Sequence, residues 1–225
     1  MSKSKISPVG IANYPRLDEP DTEYDPNGVY HTKLILDTDL PDVAAFVEQI
    51  DAWHDESVAA AVKKLVEDGK AKTEAAARKK VKDGTKPYSY VEDEEGNETS
   101  EVKVNFKMKA KVTSKKNGKT YELQPTIFDG QNKKIPCPRI YSGSELRIAY
   151  TPVLWFTPQL GASVKLQLDA VKILKLVEGK GGNAGSYGFG DDDSDYVGSD
   201  DTPFDPDTST GGGDGAGDDD GSGDF

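Results

Sequence analysis

Eleven residues from Val102 to Val112 (VKVNFKMKAKV) alternate without a break between apolar and polar side chains. Val102, Val104, Phe106, Met108, Ala110 and Val112 fall on one phase; Lys103, Asn105, Lys107, Lys109 and Lys111 fall on the other. A period of two places successive side chains on opposite faces of a pleated strand, so one face is predicted to be core and the other a lysine ladder. No helix satisfies this pattern, and the stretch commits the chain to a sheet with one wet, cationic side.

Other segments share the period or its composition. Val29 to Leu36 (VYHTKLIL) reads as a first strand, Tyr121 to Phe128 as a return strand with Pro125 at an edge or bulge, and Leu146 to Trp155 and Val164 to Val177 as two more. Asn117-Gly118 is a type I′ hairpin signal, and Asp129-Gly130 marks another turn. Between the first and second strands the period becomes helical. Val43, Phe46, Val47, Ile50 and Trp53, and then Val58, Ala61, Val62, Leu65 and Val66, recur at spacings of three and four, which predicts one long helix from Pro41 to about Asp68, capped by Asp37-Thr38-Asp39 and stopped at Gly69. A shorter basic helix, Glu74 to Lys82, is expected to follow, carrying Arg78, Lys79, Lys80 and Lys82. The fold class is therefore mainly β with a helical insertion. A closed, antiparallel, five-stranded barrel packed with one long α-helix fits best, with a sandwich as its competitor.

Both ends differ from this body. Residues 1–28 carry Pro8, Pro15, Pro20 and Pro26 among acidic residues and read as an extended arm without a core, leaving 29–178 as the folded domain. Residues 179–225 read as a tail. From Gly181 onward it holds thirteen Asp and no Glu, Lys or Arg, too little apolar surface to offset the roughly 1–2 kcal/mol per residue lost on ordering a backbone, and is expected to be disordered. The whole chain has 28 basic and 40 acidic residues; without those thirteen Asp the count is 28 against 27, so a body of net charge +1 carries all the excess acidity at one end.

Several function classes drop out. One cysteine, Cys137, makes no internal disulfide and belongs to no C-x-x-C pair, so neither a disulfide scaffold nor a structural metal site is expected. No apolar run suits a signal peptide or a membrane span, and the expectation is a protein neither exported nor membrane-spanning. Leu36-Asp37-Thr38-Asp39 has the D-x-D form of a phosphotransferase nucleophile, yet hairpins rather than βαβ units follow it, and helix capping is the better account. His31 and His54 have no nucleophile elbow or metal motif beside them, and the glycines near Gly179 lack a phosphate-loop context. No enzyme, cofactor or metal is expected.

A lysine-lined sheet face near aromatics remains: Lys103, Lys107, Lys109, Lys111 and Arg147, with Tyr88, Tyr90, Tyr121, Tyr150, Trp155 and Phe156. Lysines follow phosphates while aromatic faces stack unpaired bases, the combination that holds single-stranded nucleic acid; a solvated strand face is the plainer alternative, and Tyr150 shares the phase of Leu146 and Ile148, which suits core.

Gly161 to Leu168 (GASVKLQL) and the terminal Asp224-Phe225 after an acidic tail resemble the single-stranded DNA-binding protein of T7-like bacteriophages. Gly28-Val29-Tyr30, Ala59 to Val62, Lys86-Pro87-Tyr88 and Phe106-Lys107 extend the resemblance over most of residues 29–177. It implies an OB-fold barrel that coats single-stranded DNA in replication, recombination and repair, a homodimer, and a location in the cytoplasm of the infected bacterial host. It also implies a tail that competes with DNA and, through Asp218, Asp219, Asp220, Asp224 and Phe225, recruits the phage DNA polymerase and helicase-primase. By position it makes Lys107, Lys109 and Arg147 phosphate contacts and supplies a base-stacking aromatic from Leu154-Trp155-Phe156; Asn105 departs from it, standing where the ladder should hold lysine. The competing function is an acidic-tailed interaction or chaperone protein on a β-barrel scaffold.

Overall fold

The computed structural model describes residues 4–114 and 116–177; the tail, with Asp218, Asp219, Asp220, Asp224 and Phe225, lies outside the described residues. Its strands are β1 (Lys5–Ile6), β2 (Gly10–Asp21), β3 (Val29–Asp37), β4 (Tyr88–Glu92), β5 (Glu98–Lys109), β6 (Lys111–Thr113), β7 (Thr120–Glu122), β8 (Thr126–Phe128), β9 (Lys134–Ile135), β10 (Glu145–Thr157) and β11 (Gly161–Lys175). Its helices are α1 (Pro41–Glu67) and α2 (Glu74–Arg78).

β5 is the central strand the alternation demanded. It lies antiparallel to β3 over nine paired positions, from Val29 opposite Lys109 to Asp37 opposite Glu101. β3 pairs with β2, β2 with β10 at Gly10 and Ile11, β10 with β11, and β11 with β5 through Leu166–Phe106 and Gln167–Lys107. The pairings thus return to the strand they started from. One link departs from the expected antiparallel arrangement: β11 runs parallel to β5, as it does to β8. Gly10 fits where β2 crosses to β10 because a Cβ there would stand 2.5 Å from Leu36 Cδ2.

Inside the circuit lie the inward phases of each strand: Tyr30, Leu34 and Leu36; Val102, Val104 and Phe106; Leu146, Ile148 and Tyr150; Val164, Leu166 and Leu168. α1 closes this core with Val43, Phe46, Val47 and Ile50, the i, i+3, i+4, i+7 stripe read from the sequence. Its later turns bury Val58, Ala61, Val62 and Leu65 in a second cluster with Ala77, Val81 and Ala162.

Five expectations need correction. Residues 1–28 are not a coreless arm: β2 belongs to the sheet and buries Ala12 and Leu17, and Ser7 N–H donates to Ile148 O at 2.9 Å. Pro15 and Pro20 misled because they sit at the register shifts between Asn13 and Arg16 and between Arg16 and Asp21, where no ladder bond is lost. The alternating strand ends at Lys109, since the chain bends at Ala110; Lys111 and Val112 enter a separate two-stranded ribbon with β7, and Val112 is 40% exposed rather than core. α1 is capped at Leu40 by no side chain; Asp37 Oδ1 instead accepts from Asp39 N–H at 3.0 Å, and Thr38 Oγ1 donates to Ser100 O. α2 stops at Arg78, four residues early. Finally, Gly118 has φ +68 but Asn117 stays at negative φ, so the hairpin is not the two-residue type I′ turn.

Candidate nucleic-acid interface

The wet phase of β5 lines up across strands. Lys103 stands opposite Ile35, Asn105 opposite Lys33, and Lys107 opposite His31, with Gln167 on the other flank of Lys107 and Thr151 beyond it on β10. Lys33 and Lys107 are exposed; Lys103 and Asn105 are half-buried. Among the described residues no carboxylate pairs with Lys33, Lys103 or Lys107, whereas Lys109 meets Asp25 at 3.8 Å and Lys111 meets Glu122 at 3.4 Å. A strip of uncompensated positive charge therefore runs over β3 and β5. Sequence reading missed Lys33, although its phase in VYHTKLIL, odd with His31 and opposite to Leu34, places it outward.

Arg147 is exposed on β10, opposite Lys172, beside a groove of about 300 Å³ lined by Ile6, Phe128, Ala149 and Val171. It lies four residues along β10 from Thr151, roughly 13 Å at about 3.3 Å per residue. The structure thus does not bring Arg147 into the Lys103–Lys107 row. Lys111, on the β6–β7 ribbon, also stands outside that row.

The predicted aromatics separate just as clearly. Tyr150 is 2% exposed, with ring centroids 5.7 Å from Phe46, 6.4 Å from Trp53 and 5.6 Å from Phe106; it is core and offers no face to a base. Burial pushes its phenol up to about 12. Phe156 turns into the second apolar cluster. Trp155 stays partly exposed and leans on Gly84, where an added Cβ would come within 2.9 Å of the indole Cη2. Tyr88 donates to Asp51 at 2.8 Å, and Asp51 also pairs with Lys86 at 2.7 Å, so this tyrosine braces α1. Burial, and then Asp51, raise the Tyr88 phenol; the Asp51 bond raises Lys86.

Two residues of the basic run near α2, Arg78 and Lys80, are likewise committed to structure. Arg78 donates to Val81 O at 2.9 Å and forks onto Asp83 at 2.8 and 3.1 Å, while Lys80 Nζ donates to Lys70 O. Arg78 and Asp83 border a groove of about 900 Å³ between the helices, with His54, Val58, Val62 and Lys86.

No nucleophile emerges from the groups weighed in sequence. His54 is buried with Nδ1 3.0 Å from Ser163 Oγ, whose own proton goes to Thr85 O at 2.9 Å; the ring must therefore donate from Nδ1, and the pair is a structural tie. His31 Nε2 lies 3.3 Å from Asp21, whose carboxyl is held below its usual range first by the Glu23 N–H and then by His31. Burial, with Asp18 adding to it, pushes the Cys137 thiol up to about 11, the reverse of an activated cysteine.

Comparison with known proteins agrees on one family. The family described as single-stranded DNA-binding protein, bacteriophage T7, matches residues 9–176. The chain is 31% identical to the single-stranded DNA-binding protein of Enterobacteria phage T3 over 214 residues, covering 88% of this chain and 87% of that one. It is 33% identical to the corresponding protein of Escherichia phage T7 over 176 residues, 75% of this chain and 67% of that one. Among solved structures it resembles gp2.5, a single-stranded DNA binding protein encoded by bacteriophage T7, with a TM-score of 0.65 and 28% identity over 80% of this chain and 96% of that one.

Proposed function

The chain belongs to the single-stranded DNA-binding protein family of T7-like bacteriophages, and from that premise we propose that it binds single-stranded DNA without reading a defined sequence, in phage DNA replication, recombination and repair. The observation that carries this reading is the strip of Lys33, Lys103 and Lys107, cations that no described carboxylate neutralises, on the wet face of the circuit of strands. Phosphates on that strip release condensed counterions, which favours binding and makes it salt-dependent. Lys109, on the same face of β5, joins on release from Asp25, while Lys111 on the β6–β7 ribbon and Arg147 on β10 lie off this row and would meet phosphates beyond it.

The pairing circuit β10–β2–β3–β5–β11 is the basis for reading the body as a closed OB-type barrel, a fold whose second and third strands and adjoining loops hold oligonucleotides. Trp155, propped on Gly84, is the base-stacking aromatic of its segment. The tail acts as a tethered anionic competitor for the lysine strip; its Asp run steers polymerase and helicase-primase while Phe225 anchors them. The active form is a homodimer in the cytoplasm of the infected host.

Trp53 and Trp155 are the only tryptophans, so Trp53→Phe makes fluorescence report on Trp155 alone. Oligo-dT at low salt is expected to quench it. Unchanged emission while the oligonucleotide demonstrably binds would remove Trp155 from the interface.

A further inference from the structure

The loop joining β2 to β3 carries Tyr24, 88% exposed, the most exposed large hydrophobic side chain among the described residues. It is not idle surface by position. Tyr24 stands on the rim of a groove of about 340 Å³ whose other walls include His31, Lys33, Asn105 and Lys107. Asp21 and Asp25 also border this groove, but Asp21 is engaged by His31 at 3.3 Å and Asp25 by Lys109 at 3.8 Å. Among the described residues, Lys33 and Lys107 are left as its unpaired charges.

One polar atom here lacks its complement. Asn105 Oδ1 is the only buried side-chain oxygen or nitrogen among the described residues without a hydrogen-bond partner. Buried polar atoms are nearly always bonded, and each exception calls for a cause. The chemistry of a DNA strand narrows what the cause can be. Phosphate and deoxyribose within a strand offer acceptors and no N–H, so only a base edge brings a donor to an acceptor oxygen. Adenine, cytosine and guanine carry exocyclic amines; thymine offers only its ring N3–H.

We propose that this groove is a nucleobase site: Tyr24 stacks on one face of an unpaired base, Lys33 and Lys107 hold the flanking phosphates, and Asn105 accepts from the base's exocyclic amine. Oδ1 is buried where Asn105 stands against the groove, so the contact requires a half-turn of the carboxamide about χ2, which exchanges Oδ1 with Nδ2 and brings the acceptor to the base. A lysine at position 105 would add a phosphate contact and no acceptor; asparagine trades that charge for a preference among bases. Binding then remains free of defined sequence yet graded by composition, with cytosine favoured over thymine. This inference rests on the single-stranded DNA reading above and deepens it.

The test uses the full chain and measures affinity for oligo-dC and oligo-dT of equal length. Tyr24→Ala, at a site too exposed to unfold the protein, is expected to weaken binding to both roughly tenfold, the scale of one lost stacked base, while Tyr24→Phe keeps it. The unaltered chain is expected to prefer oligo-dC, and Asn105→Ala to erase that preference. If the unaltered chain binds both oligonucleotides but Tyr24→Ala binds them as tightly, or no dC preference exists, the nucleobase site is overturned while DNA binding stands. If the unaltered chain binds neither, both readings fall together.

Discussion

Tyr150 and Cys137 share a consequence of burial that is visible in solution. Burial holds the Tyr150 phenol at about 12 against an ordinary 10.0, and the Cys137 thiol at about 11 against 9.0. In both the folded state keeps its proton more tightly than the unfolded chain. The stability each contributes is complete below the ordinary value and is lost as pH climbs through the folded one. Denaturation midpoints should hold steady to about pH 9 and fall beyond it, first with Cys137 and above pH 10 with Tyr150. Tyr150→Phe should flatten the upper part of that fall, while Tyr150→Ala should cost about 3–5 kcal/mol through the cavity it leaves. A Tyr150→Phe protein with an unaltered alkaline limb would show that the phenol is not what titrates. At this scale the sequence disclosed phase more reliably than role. Tyr150 kept step with Leu146 and Ile148 and proved core as they did; Trp155 and Phe156 are both half-buried neighbours, yet Phe156 packs on the second cluster and Trp155 against Gly84, a division that alternation does not encode.

The elements whose periods were unbroken were legible: β3, β5, β10, β11 and the apolar stripe of α1. What periodicity cannot supply is a partner. The parallel contact of β11 with β5 joins residues sixty positions apart, and no local pattern encodes it. β2 was hidden by prolines that the register shifts absorb, and the end of β5 by an alternation that continues into another ribbon. Glycine shows where elements must touch. Gly161, at φ +90, begins β11 so close to Lys82 O that an added Cβ would overlap it; Gly69, at φ +68 behind α1, faces open space. Gly69→Ala should therefore cost only the left-handed penalty, about 1–2 kcal/mol, and Gly161→Ala distinctly more, because the 82–84 segment must also move. Thermal denaturation of the two variants compares them directly; equal losses would mean that the β11 start yields freely.

Over the whole molecule, function follows from where charge is left uncompensated. The ion pairs of Lys86, Arg78 and Lys175 spend cations on architecture, whereas Lys33, Lys103 and Lys107 pair with no carboxylate among the described residues. Composition alone located the opposing charge, the thirteen Asp of residues 181–225, and GASVKLQL located the family. Lys33 and Tyr24 were less legible as site residues, because β3 and the β2–β3 loop meet β5 only through the fold. Whether this strip holds the phosphates of single-stranded DNA is read by titrating oligo-dT into the full chain, and into a chain ending at Lys180, at low and at moderate salt. Binding is expected whose affinity falls steeply with salt and is stronger in the shortened chain, as the proposed tethered competitor requires. Absence of binding by either chain at low salt would contradict this expectation.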